Sequence, residues 1–228
     1  MINGVVEWFQ DPANWTGDDG VPNRLLEHGL LTLVALLAAM VIGLPLAVWL
    51  GHKRRFGTLA VNISNVGRAI PIVALLSLLA LGFVGSAELG PFGRAGLATL
   101  ITLALFALPP IITNAYVAVS GVDDDLVEAA RGMGMDERQV LRRVEIPVAL
   151  PLIVSGVRLA VVQVWATATI AALVAGPGLG RIITHGYDSN RPAEVIAGSL
   201  IVAAIALALE ILMALLQRRL DPLPAGSR

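Results

Sequence analysis

One lysine, three histidines and no cysteine leave this 228-residue chain few side chains suited to catalysis. A phosphate-binding loop needs glycines followed by Gly-Lys-Ser/Thr, so that backbone amides and the lysine hold the phosphates. The single lysine, Lys53, is preceded by His52 and matches no such loop. Gly176-Pro177-Gly178-Leu179-Gly180 is not a dinucleotide fingerprint, because its spacing is wrong and it follows a long apolar stretch. It reads as a turn. His28, His52 and His185 are scattered over loops and span ends without metal-ligand spacing, and no catalytic triad assembles. The lack of cysteine excludes disulfides, thiol nucleophiles and thiolate metal sites.

The polar residues that remain concentrate in one long loop, 121–148, with the text GVDDDLVEAARGMGMDERQVLRRVEIP from Gly121 to Pro147. Asp123, Asp124 and Asp125 put acid at a helix start, where cap and dipole both favour it. That helix is expected to run to about Met133 and to stop at Gly134. Asp136 then caps a second helix, with Gln139 three residues on as in a capping box, and Pro147 is expected to end it. The result is a compact knob. Leu126, Val127, Ala129, Ala130 and Met133 make it more apolar than a solvated loop requires. It either docks a partner, with small Ala129 and Ala130 beside Glu128 allowing close approach, or packs against its own spans.

The elements around that loop are apolar. Hydrophobic residues make up 56% of the chain and charged ones 14%, against roughly 25% in soluble domains. Mean hydropathy is +0.78. With a formal charge of −1, nothing suggests nucleic-acid binding. This is the composition of an integral membrane protein. A bilayer crossing needs about 20 mostly apolar residues. Leu25–Leu50, Arg94–Ser120, Pro151–Ala175 and Ala193–Gln217 supply four. Thr58–Val84 is a less regular fifth, second in order. Asn62, Ser64, Asn65 and Arg68 occupy its first half, a break is expected near Gly67–Ala69, and a helix restarts with Pro71 in its first turn.

Basic residues orient the spans. Lys53, Arg54, Arg55, Arg131, Arg138, Arg142, Arg143, Arg218 and Arg219 fall on one side, and only Arg24, Arg94, Arg181 and Arg191 on the other. The amino terminus is thus expected outside and the carboxyl terminus inside. Residues 1–24 lack the basic start of a signal peptide. With Trp8, Phe9 and Trp15 they suit a segment lying at the outer interface, or else a loosely ordered tail.

Glu128-Ala129-Ala130, three residues, Gly134, nine residues, then Val144-Glu145-Ile146-Pro147 resembles the EAA motif of ABC-importer permeases. It departs from that family's E-A-A, G, I-x-L-P pattern only in Val144 and Ile146. Gly67-Arg68-Ala69-Ile70-Pro71 with Val73-Ala74-Leu75-Leu76, Arg131–Met135, Ala168–Leu173 and Gly178-Leu179-Gly180 are similar to the glycine betaine, carnitine and choline branch. Methionine-importer permeases are the nearest rival. The resemblance implies an all-α integral membrane protein of five transmembrane helices with the type I (MetI-like) permease fold over 25–220. A cytoplasmic tail, 221–228, would follow. It implies a second permease subunit, identical or homologous, two ATP-binding subunits and an extracytoplasmic solute-binding protein, in the lipid of a bacterial cell membrane. ATP and Mg would sit on the partner ATPase, with no cofactor in this chain. By match, Glu128, Ala129, Ala130, Met133, Gly134 and Pro147 belong to the ATPase-coupling element.

Polar residues within spans usually face a bundle interior or a watery path. Gln163, Trp165, Thr167 and Thr169 are therefore pathway candidates, as is Asn114, near Thr113 and Tyr116. Trp165 either offers an aromatic face to a quaternary ammonium solute or packs between helices, with the threonines bonded to their own backbones. Glu210 reads as paired or near the inner interface. Arg68 is either a gate residue or an interface anchor. Arg181, His185, Tyr187 and Asp188 form either a contact for the binding protein or a solvated loop. Rival readings are an importer for methionine or another amino acid, an ion-coupled carrier working alone, and a membrane scaffold.

Overall fold

The computed structural model describes residues 2–54, 62, 67, 69–82, 84–85, 92–93 and 95–220, and among these it contains helices and turns only. Helix α1 spans Ile2–Gln10 and a 3-10 turn Pro12–Trp15. Helix α2 spans Val21–Lys53, α3 Ile72–Leu81, α4 Gly96–Ser120, α5 Asp124–Gly132 and α6 Glu137–Val140. A π turn, Leu141–Glu145, leads into α7, Ile146–Ala168, which tightens to a 3-10 turn over Thr169–Val174. Helix α8 is Gly180–Asp188 and α9 is Pro192–Leu220.

Four stretches are long and apolar enough to cross a bilayer: Val21–Lys53, Gly96–Ser120, Glu137–Val174 and Pro192–Arg219. They carry the four regular spans read from the sequence. Of the fifth, the described helix is the apolar Ile72–Leu81, with Pro71 just before its first turn. Arg68, most of that span's first half and the tail 221–228 lie outside the described residues.

Small residues every fourth position decide how the spans meet. Ala35, Ala39, Gly43, Ala47 and Gly51 form one buried ridge of α2. Thr99, Leu103, Ala107, Ile111, Ala115 and Val119 form the facing ridge of α4. Ridges of fourth residues interdigitate, and in lipid, where apolar burial drives little, close backbone approach is what holds helices together. A Cβ on Gly51 would lie 2.8 Å from that of Val119. On the other side of α4, Gly156 of α7 lies against Asn114, which a Cβ would approach to 2.5 Å.

Residues 2–24 fold against the bundle and are not a loose tail. Asp11 caps the 3-10 turn, and Trp8 packs beside a buried cluster of Val21, Trp165, Leu179, Ile182 and Val202. Gly176–Leu179 form a turn, and the helix α8 follows it.

Candidate functional site

The knob of residues 121–148 has the helix caps and the glycine turn that its spacing predicts. Asp123 caps α5 through its side chain, accepting from Asp125 N. Gly134 follows at φ +86°, a left-handed conformation. Asp136 and Gln139 form a reciprocal capping box at 2.8 and 3.0 Å.

Pro147 does not end the second helix. Residues 137–174 form one continuous helical stretch, because the π turn Leu141–Glu145 sits just before the proline. There Ile146 N–H reaches back five residues to Leu141 O. That widened turn makes room for a ring that would clash with a regular preceding turn.

The motif residues divide between two faces. Glu128, Ala129 and Gly134 are exposed, Met133 is 72% exposed and Leu126 44%. Ala130 turns inward with Val127. Both join Val140 in a core that also holds Ile112, Ala115 and Val119 from α4 and Ala149 from α7. Ala130 is therefore a packing residue, a correction to its reading as a contact residue. The knob both packs on its own spans and presents an apolar outer face.

Sequence reasoning missed what fastens this knob. His52, at the end of α2, places Nδ1 2.6 Å from Glu145 Oε2 and Nε2 3.2 Å from Glu137 Oε2. Glu145 is 1% exposed. Arg131 of α5 donates to Glu137 through Nε at 3.0 Å and Nη2 at 3.3 Å. These bonds hold the exposed Glu137 carboxyl below the usual carboxylate range. Arg54 donates through Nη2 to Val122 O at 2.7 Å and pairs with Asp124. The histidine lacked any sequence signal because its carboxylate partners lie in a distant loop.

The span candidates do not form one site. Trp165 is buried between helices: its Nε1 donates to Val202 O at 3.2 Å, and only 4% of the residue is exposed. That corrects its reading as an aromatic face for solute. Thr169 Oγ1 donates to Ala166 O at 2.7 Å and Asn114 Nδ2 to Pro110 O at 2.8 Å, each within its own stretch of helix. Gln163 and Thr167 are half-buried on α7. Arg158, unremarked in the sequence, pairs with Glu210 through Nε at 3.0 Å and donates to Gln217 Oε1 at 3.0 Å. Glu210 is thus paired, by a residue of α7.

At the bundle end opposite the knob, Arg181, His185 and Asp188 line a polar cleft of about 510 Å³ with Asp19, Arg24, Arg191 and Glu194. Arg24 is ion-paired to Asp19 and Glu27. Arg181 donates to Gly176 O at 3.0 Å and Ala175 O at 2.7 Å, so it braces the turn before α8. His185 Nδ1 lies 2.7 Å from Glu194 Oε1. Tyr187 is 80% exposed. No cluster of His, Asp or Glu able to hold a metal occurs among the described residues.

Residues 29–224 match the family model described as binding-protein-dependent transport system inner membrane component. The chain is 32% identical over 222 residues to the carnitine transport permease protein OpuCD of Listeria monocytogenes serotype 1/2a (strain 10403S), covering 97% of this chain and 93% of that one. It is 34% identical over 196 residues to the osmoprotectant import permease protein OsmW of Salmonella typhimurium, covering 86% and 89%. Among solved structures, a chain from inward-facing conformations of the MetNI methionine ABC transporter superposes with a TM-score of 0.73. It covers 86% of this chain and 94% of its own, and at 23% identity the likeness speaks for the fold alone.

Proposed function

This chain belongs to the family of binding-protein-dependent transport system inner membrane components, and from that premise we propose that it is the permease subunit of an ATP-driven importer for compatible solutes. The cargo class is glycine betaine, carnitine or choline. It is supported by relatives named for those solutes and matched over most of the chain. Hydrolysis falls to separate ATPase subunits, which bring ATP and Mg.

The finer reading is a multi-pass protein of five spans, with its amino terminus outside and the knob and carboxyl terminus in the cytoplasm. The nine-to-four imbalance of basic residues supports that orientation. The apolar helix Ile72–Leu81 supports the irregular second span. Two such permeases would enclose the pathway, each contributing residues 25–220, with Gln163 and Thr167 as its polar lining. Two ATPase subunits would lie beneath the knobs, held by Glu128, Ala129, Met133 and Gly134. A binding protein would dock over Tyr187 and Asp188.

ATP-driven closure of the ATPases would shift each knob. The shift reaches the spans because Val127, Ala130 and Val140 share a core with α4 and α7, and because residues 137–174 are one helical stretch. Rigid elements of this kind switch a bundle between two arrangements rather than bending it continuously. The single observation that carries the reading is the family match over residues 29–224.

The test is reconstitution in proteoliposomes with the cognate ATPase and binding protein. Uptake of glycine betaine, carnitine or choline that requires ATP and all three proteins is expected. Uptake of methionine without any of these solutes would overturn the cargo, and uptake without an ATPase would overturn the class.

A further inference from the structure

One polar chain ties the end of α2 to the knob at two points. Arg131 of α5 bonds Glu137 at the start of α6, Glu137 lies 3.2 Å from His52 Nε2, and His52 Nδ1 lies 2.6 Å from Glu145. The His52 side chain is 6% exposed and that of Glu145 1%. A buried carboxylate without a partner is strongly disfavoured, so the ring is what allows Glu145 to sit there. Glu145 closes the π turn Leu141–Glu145, the place where the knob's second helix becomes α7. Such turns recur at functional positions. A side chain locked there controls the angle at which the knob leaves the span. Gly51, one residue before His52, packs on Val119 and Tyr116 of α4, so the clasp is anchored to a helix pair and not to a free end.

We propose that His52 is a positioning residue for ATP coupling, whose imidazole clasps Glu145 and Glu137 and so makes the knob and the α2–α4 pair move as one body. The proposal rests on the reading of this chain as an ATP-driven importer subunit. The clasp touches neither solute nor ATP. It acts through the π turn, by fixing the geometry in which a displaced knob displaces the spans.

The experiment compares solute transported per ATP hydrolysed in proteoliposomes of the whole complex. His52→Leu leaves Glu145 buried and unpaired, and it is expected to lose folded complex. His52→Leu/Glu145→Leu removes both partners and leaves no buried charge. It is expected to keep the ATPase subunit bound while the transport ratio falls about tenfold, within the usual range of coupling between sites. His52→Gln retains one donor towards Glu145 and is expected to keep the ratio within about threefold of the unaltered complex. A double variant with an unchanged ratio would reduce the clasp to a structural contact and overturn the proposal. If the double variant itself fails to assemble, an unchanged ratio in Glu145→Leu, which keeps no bond to the ring and buries no carboxylate, overturns it and a lowered one supports it. Failure of the importer reading shows separately, as an unaltered chain that binds no ATPase.

Discussion

Trp165 closes edge-on against His28: the ring centroids lie 4.5 Å apart at 65°, and His28 Nε2 sits 3.0 Å from the carbonyl oxygen of Trp165 itself. The indole N–H goes to Val202 O, so one buried pair joins α2, α7 and α9. An intramembrane tryptophan and histidine would each suit a solute site. Together they pack on one another and leave no face open, with His28 Nδ1 buried without a hydrogen-bond partner among the described residues. The same pair explains why Gly176–Gly180 returns so close to α2: Gly178 lies against the His28 ring, and its N–H donates to Glu27 at 3.0 Å.

If Trp165 is packing, its loss should act on stability and not on solute affinity. Trp165→Ala is expected to cost about 3–5 kcal/mol, as large aromatic truncations in cores do. Trp165→Phe keeps most of the ring contact and loses one hydrogen bond, a cost of about 1 kcal/mol. Thermal unfolding of the purified complex gives the order. Half-saturation for uptake in Trp165→Phe should match the unaltered protein, and a large shift there would return Trp165 to the pathway.

Local features of this chain were readable and long-range ones were not. The Asp136–Gln139 capping box spans three residues, and the helix ends at Asp123 and Gly134 follow from single side chains and one left-handed turn. Pro147 misled because a proline normally stops a helix, whereas here a π turn precedes it. Ala130 sits inside a motif whose neighbours are exposed, and no local rule tells which face of a short helix meets the spans. The His52–Glu145 contact is separated by 93 residues and Arg158–Glu210 by 52, distances over which spacing carries no signal. The small-residue ridge Ala35, Ala39, Gly43, Ala47, Gly51 is visible in the sequence as a period of four. It passes unnoticed when the stretch is scored by hydropathy alone.

Gly178 makes a sharp case for backbone strain. At φ +105° a side chain is disfavoured, and a Cβ would lie 2.8 Å from His28 Nδ1. Gly178→Ala is therefore expected to destabilise by about 2 kcal/mol, within the range for a strained left-handed residue with a clash. Gly29→Ala, with open space and no positive φ, is the matched control and should be neutral or slightly stabilising. Equal melting temperatures for the two would contradict the turn geometry.

Gly134 separates strain from contact. Its φ of +86° forbids most side chains, yet nothing lies within 4 Å of the Cβ position. Gly134→Asn, which tolerates that conformation, should fold and keep its ATPase subunit. Gly134→Leu should insert into the membrane normally but lose the subunit and solute-stimulated hydrolysis, since the inter-helix turn costs about 1–2 kcal/mol more. Pull-down of the ATPase from membranes carrying each variant is the measurement. Full coupling in Gly134→Leu would remove the knob as the docking element.

The α8 end separates bracing from docking among neighbours in sequence. Arg181 is committed to two backbone carbonyls of the turn, whereas Tyr187 and Asp188 are exposed and their side chains make no hydrogen bond or ion pair among the described residues. Transient interfaces gain specificity and association rate from exposed charges and affinity from aromatic anchors. Asp188→Lys is therefore expected to slow binding-protein association at low salt by about tenfold and to lose that difference as salt rises, because exposed charges are screened within a Debye length of about 10 Å at 0.1 M. Tyr187→Ala should weaken docking by a factor that salt does not change. Arg181→Ala should instead lower the thermal stability of the permease, because the carbonyls of Ala175 and Gly176 lose their donor. Association kinetics of the binding protein over a salt series, read beside thermal unfolding, test all three. If Arg181→Ala slows docking with stability intact while Asp188→Lys changes nothing, the assignment reverses: the arginine touches the partner and α8 turns its exposed face away.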